Sequence, residues 1–118
     1  MKTKTLLLLL AVSVAALGIA QTTPVYTAVE AAKHVGEIAT ITDSVDGVHQ
    51  SGKGNIFLNM GGKYPNQAFT AFIPSSSAAQ FSNPQQYEGH AVSVSGKITL
   101  YRGKPEIIVT NVSQLIAK

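Results

Sequence analysis

The clearest pattern in the chain lies near its C-terminal end. There Val92, Val94, Gly96, Ile98 and Leu100 alternate with Ser93, Ser95, Lys97, Thr99 and Tyr101. A period of two predicts one long strand with a buried face and a wet face. Glycine in the inward series removes a side chain and predicts a bend or bulge at residue 96. Arg102-Gly103-Lys104-Pro105 predicts a hairpin turn into a last strand over residues 106–112, where Ile107 and Val109 continue the inward face. Three shorter stretches upstream carry the same alternation. Ala39, Ile41 and Val45 oppose Thr40, Thr42 and Ser44. Ile56, Leu58 and Met60 share one face of residues 55–60, and Phe69, Ala71 and Ile73 alternate with Thr70 and Phe72. Asp46-Gly47 and Ser51-Gly52-Lys53-Gly54 frame a turning loop, and Gly61-Gly62-Lys63-Tyr64-Pro65-Asn66 ends the second strand.

Two stretches break the period of two. Thr27 followed by Glu30 fits a capping box, which opens a short helix through Ala31 that Gly36 ends. Pro74, the hydroxyls of Ser75, Ser76 and Ser77, and then Ala78, Ala79 and Phe81 predict a second short helix. Asn83-Pro84 interrupts it, a further turn runs through Tyr87, and Gly89 closes it. The predicted order is helix, three strands, helix, two strands. The fold class is therefore all-β with short helices: a five-stranded Greek-key OB-fold barrel with a helix between strands three and four.

Particular residues carry a resemblance. Phe57-Leu58-Asn59, Tyr64-Pro65-Asn66-Gln67-Ala68-Phe69-Thr70 and the run from Tyr87 through Gly96-Lys97-Ile98 to Tyr101-Arg102-Gly103-Lys104-Pro105-Glu106-Ile107 resemble a bacterial family. Its members are exported or nuclease-associated OB-fold domains, close to the tRNA-anticodon-binding type. The resemblance spans about residues 31–115 and implies the barrel; it implies less about the ligand, because one fold hosts many functions. Asp43 stands where such domains often carry glycine, which predicts a first strand that bends less sharply.

The N-terminus reads differently from the rest. Lys2 and Lys4 precede an apolar stretch, residues 6–16, which ends in Gly18-Ile19-Ala20. This is the order of a secretory signal peptide cleaved after residue 20. The apolar stretch is shorter than the roughly 20 residues of a spanning helix. The domains are then a signal peptide (1–20), a flexible arm (21–26) and the OB-fold domain (27–118). The expected location is periplasmic or secreted, without stable membrane insertion after cleavage. An exported chain with no cysteine rests its fold on its core.

Cleavage also changes the charge. The formal +3 falls to +1 when Lys2 and Lys4 leave, and what remains is uneven: residues 21–51 carry −3 and residues 52–118 carry +4. Catalytic chemistry is not visible. His34, His49 and His90 have no ligand spacing, and their expected role is as polar edge residues. No serine sits in a nucleophile elbow. Gly61-Gly62-Lys63 lacks the spacing and the helix of a phosphate loop. Asp43 and Asp46 fall on opposite faces and read as solvated loop acids. No enzyme, metal or cofactor is implied.

Binding is what remains. OB-folds commonly take ligands across strands two and three, bordered by the one-two and four-five loops. The outward residues there are Phe57, Asn59, Thr70 and Phe72. The bordering loops bring Lys53, Tyr101, Arg102 and Lys104, with Lys63 and Tyr64 as peripheral contacts. Aromatic rings with nearby cations match single-stranded nucleic acid, whose bases stack and whose phosphates pair with cations. The expected function is weak, sequence-tolerant binding of a single strand. The alternative is an exported module that binds protein, glycan or a small ligand, with Phe57 and Phe72 packed beneath the N-terminal helix or over a barrel edge.

Overall fold

A computed structural model describes residues 22–118; the leader expected at residues 1–20 lies outside the described residues. Eight strands form one mixed sheet, connected by loops and short 3₁₀ turns. The strands are β1 (Val25–Tyr26), β2 (Ile38–Gln50), β3 (Ile56–Met60), β4 (Phe69–Ile73), β5 (Ala91–Lys97), β6 (Thr99–Tyr101), β7 (Lys104–Ile108) and β8 (Leu115–Ala117). Hydrogen bonding orders them β6-β7-β4-β3-β2-β5-β8, with β1 added to β2.

The difference between five expected strands and eight observed has local causes. The predicted fourth strand is divided at Ile98. A Cβ on Gly96 would lie 2.7 Å from Ile107 Cγ2, so only glycine lets β5 cross that close to β7. Val92, Val94 and Ile98 are fully buried, as the alternation requires, but Leu100, opposite Pro105 in the short β6 at the end of the strand order, is 56% exposed. The last strand ends at Ile108 rather than at residue 112. Asn111 there caps the turn Val112–Gln114, its side chain accepting from Ser113 N, and β8 follows antiparallel to β5. The Gln114 amide ties this end together, donating to Ser95 O at 2.9 Å and Ile108 O at 3.2 Å. Residues 25 and 26, read as part of a flexible arm, form β1 in parallel with β2. Tyr26 stacks on His34 at 3.7 Å, and Glu37 joins both, accepting from Tyr26 Oη and pairing with His34 Nδ1 at 2.7 Å each.

β2 is 13 residues long and serves two antiparallel partners besides β1. Its first part pairs with β5 and its second with β3, both antiparallel. The register shifts between Val45 and Gly47, so Asp46-Gly47 is an irregularity within the strand and not the start of a loop. Asp43 and Asp46 are not solvated loop acids. Asp43 Oδ2 accepts from Ala28 N at 3.0 Å, which holds the N-terminal turn. Asp46 Oδ2 accepts from Gly62 N at 2.7 Å, which holds the β3–β4 loop. Gly62 sits at φ +121°, where a Cβ would lie 2.7 Å from Asn66 O.

Both predicted helices form as 3₁₀ turns. Thr27 and Glu30 make the reciprocal capping-box bonds, at 2.8 Å and 3.4 Å, ahead of the turn Val29–Lys33. Between β4 and β5 lie the turns Ser75–Gln80 and Pro84–Tyr87, separated by Asn83 in a left-handed conformation. The serine hydroxyls do not cap the first of these; Asn55 Oδ1 accepts from Ser75 N instead, at 2.8 Å.

The inward residues of all the long strands meet in one cluster that includes Ile41, Leu58, Met60, Phe69, Val94 and Ile107. On the outer surface of β2 and β5, Thr40 pairs with Ser95 and Thr42 with Ser93, each at 2.8 Å. Among the described residues, no helix is long and apolar enough to cross a membrane.

Candidate functional site

The outer face of β3, β4 and β7 differs from that hydroxyl-covered surface. Strand register sorts its side chains into two rows that run across the sheet. One row is His49 (β2), Phe57 (β3), Phe72 (β4) and Ile108 (β7), each opposite the next. The parallel row is Gly47, Asn59, Thr70, Glu106 and Thr99. Period-two geometry makes this division: rows two residues apart along a strand share a face.

The first row is aromatic. Phe57 lies 5.2 Å from Phe72 with the planes tilted at 53°, and 5.8 Å from His49 in a stacked arrangement. Both phenylalanines are half-buried and neither belongs to the core cluster, so they do not pack beneath the N-terminal turn. The second row is polar. Thr70 Oγ1 donates to Asn59 Oδ1 at 2.9 Å, and both residues are buried. Burial alone pushes the Glu106 carboxyl above the usual carboxylate range.

A cleft of about 690 Å³ opens over the polar row and over Phe57. The β3–β4 loop contributes Tyr64, Pro65 and Gln67, and the β6–β7 hairpin contributes Tyr101 and Arg102. The hairpin turns on Arg102 and Gly103, both at positive φ. This leaves the Arg102 guanidinium over the Tyr101 ring, 5.2 Å from its centre. Lys104 bridges the two walls. Its Nζ donates to Pro65 O at 2.7 Å and Gln67 O at 3.0 Å. Gln67 is 9% exposed, and its Oε1 is buried without a hydrogen-bond partner.

The residues singled out from the sequence are thus distributed unevenly. Phe57, Asn59, Tyr64, Tyr101, Arg102 and Lys104 line the cleft. Two of the three Lys104 donors are engaged by backbone carbonyls, so its main contact is structural rather than with a ligand phosphate. Phe72 adjoins the cleft through Phe57 without lining it. Lys53 is exposed in the β2–β3 turn, apart from the cleft. Lys63 lines a second, smaller hollow of about 260 Å³ that contains Asp46 and Glu88.

His49, Gln67 and Glu106 also line the cleft and were not among the residues singled out. Two of them carried a legible signal. His49 alternates with Val48 once β2 is extended past the bulge, and Glu106 stands between the buried Pro105 and Ile107. Gln67 precedes its strand and had no period to place it. Among the described residues, no group of three or more His, Cys, Asp or Glu is placed to hold a metal ion.

No family model matches the chain, and no curated protein matches its sequence. Solved structures do resemble it, 45 chains in number. One is assigned as an aspartyl-tRNA synthetase from Leishmania major Friedlin, 11% identical with a TM-score of 0.53. The likeness covers 85% of this chain and 21% of the synthetase, and it is a likeness of fold.

Proposed function

We propose that this protein is an exported OB-fold module that binds single-stranded nucleic acid, without catalysis, on the outer face of β3, β4 and β7. Connectivity supports the fold. β2 pairs with both β3 and β5, β4 pairs parallel with β7, and β7 pairs with β6. With β5 and β6 taken as one strand bent at Ile98, these pairings lead back to β2, which supports the reading as a five-stranded Greek-key barrel. Export rests on Lys2, Lys4 and the apolar residues 6–16. The synthetase likeness supports a nucleic-acid role at the level of fold.

The observation that carries the reading is the aromatic row. His49, Phe57 and Phe72 form a stacking surface beside a cleft that holds Tyr64, Tyr101 and Arg102. Stacked bases need such surfaces, and they accept any base because every base has a π-face. Cations are few. With Lys104 engaged internally, Arg102 and Lys53 are the two left to meet phosphates from the bordering loops. Binding is therefore weak, with stacking as its main source.

Fluorescence titration with a labelled oligothymidine at low salt tests this. Phe57→Ala is expected to weaken binding by about 1–3 kcal/mol. Two phosphate contacts give a log-affinity slope of about −1.4 against log salt. Absence of binding at submillimolar protein, or equal binding by Phe57→Ala, overturns the reading in favour of a protein-, glycan- or small-ligand-binding module.

A further inference from the structure

The cleft floor holds acceptors that the protein itself leaves unanswered. Gln67 Oε1 is buried with no partner. The Glu106 carboxylate is raised in pKa by burial alone, with no partner among the causes. The one ion pair among the described residues joins His34 and Glu37, on another part of the surface. A buried acceptor without a donor carries a desolvation penalty that a ligand donor removes. A phosphate cannot do this, because it offers only acceptors and would meet the Glu106 charge. The group that fits this floor is the edge of a base.

The order of polar atoms along the row narrows the choice. Asn59 Oδ1 is taken by Thr70, so the amide N–H donors are what Asn59 has left for a ligand. Thr70 separates it from Glu106, which has two acceptor oxygens. The row thus offers a donor at one end and acceptors at the other, and Gln67, whose side-chain oxygen has no partner, lines the same cleft. Guanine carries the complement on its Watson–Crick edge: the O6 acceptor followed by the N1–H and N2–H donors. Thymine presents one N–H between two carbonyl oxygens, and one of these would face the carboxylate. Adenine presents one amino group beside N1, and cytosine one amino group beside N3 and O2; only guanine sets two N–H donors side by side for the two carboxylate oxygens.

We propose that the polar row formed by Asn59, Thr70 and Glu106, together with Gln67, is a base-reading subsite that prefers guanine in a bound single strand. This rests on the nucleic-acid reading above and adds to it. Stacking on the aromatic row holds any strand, and the polar row selects the base at one position.

The test compares a short labelled oligothymidine with strands of the same length in which the central base is guanine, cytosine or adenine. Each is titrated by fluorescence anisotropy into the wild-type protein, Glu106→Gln and Gln67→Met. A bidentate contact supports discrimination of roughly tenfold or more. The expected result is about tenfold tighter binding of the guanine strand than of oligothymidine. Glu106→Gln is expected to reduce that ratio below about threefold, and Gln67→Met to reduce it in part. Equal binding of all four strands, or a ratio that survives Glu106→Gln, overturns the subsite and leaves general strand binding standing. A preference for cytosine or adenine equal to that for guanine also overturns it. If no strand binds, the subsite and the nucleic-acid reading fall together.

Discussion

Lys104 Nζ donates to the carbonyl oxygen of Pro65 at 2.7 Å, which fastens the β6–β7 hairpin to the β3–β4 loop across the mouth of the cleft. A second bond, to Gln67 O, completes the clamp. Lysine and arginine in one hairpin therefore have different work. Lys104→Ala is expected to lower unfolding stability by about 1–2 kcal/mol, toward the low end for charge-assisted bonds because one of the two is exposed. Arg102→Ala is expected to change stability by less than about 0.5 kcal/mol, as a surface substitution does, and to weaken strand binding. Denaturant unfolding of the two variants checks this. Equal stability losses would contradict the assignment.

Gly96 lets the strand that links the two halves of the sheet pass close to β7. Val94→Ala is expected to cost about 2–4 kcal/mol, since Val94 is fully buried. Leu100→Ala, beyond the break, is expected to cost less than about 0.5 kcal/mol. Gly96→Ala places a Cβ against Ile107 and is expected to cost about 1–3 kcal/mol from overpacking. A Leu100→Ala loss equal to that of Val94→Ala would show that the core extends to Leu100.

These residues also show what the sequence made legible. Period two located six of the eight strands, with β5 and β6 read as one, because the stretches that contain them have one face in the core. It missed β1 and β8, which are too short to show a period, and it placed Leu100 in the core because alternation tells which side a residue faces and not where the core ends. Asp46 was misplaced for a similar reason. A strand irregularity and the start of a loop share the Asp-Gly signature, and the difference lies in Gly62 N, sixteen residues away, which the carboxylate accepts from. The aromatic half of the candidate site was readable from strand facing. Asn59 and Thr70 of the polar half were readable in the same way; Gln67 was not, because it joins through loop closure, and the meeting of Glu106 with Thr70 depends on the parallel β4–β7 pairing.

The Glu106 carboxyl gives a pH signature. Its folded-state pKa lies above the unfolded value of about 4.5, so the native state binds the proton more tightly. The penalty for ionised Glu106 is full above its folded pKa and is relieved as pH falls through that pKa toward 4.5. Glu106→Gln is therefore expected to have a higher thermal midpoint than the wild type at pH 7, with the gap narrowing as pH falls. Thermal melts of both proteins across this range check it. A gap that stays constant with pH would show that burial of the carboxylate is not its cause.

Glu37 has the opposite sign. The His34 and Tyr26 hydrogen bonds hold its carboxyl below the usual range. Its contribution is present above pH 4.5 and is lost as pH falls through its lowered folded pKa. Glu37→Gln is expected to loosen β1 at neutral pH, seen as faster amide exchange at Thr40, whose N–H donates to Pro24 O at 2.9 Å. Unchanged exchange at Thr40 would show that the Tyr26–His34–Glu37 contact does not hold that strand.

The central claim concerns one face of the sheet, and amide chemical-shift mapping of the isotope-labelled protein titrated with a single-stranded oligonucleotide tests it most directly. The account predicts shifts at His49, Phe57, Asn59, Thr70, Tyr101, Arg102 and Glu106, with Thr40, Thr42, Ser93 and Ser95 on the opposite surface unmoved. Shifts concentrated on those four hydroxyl residues, or no shifts at submillimolar protein, would contradict it.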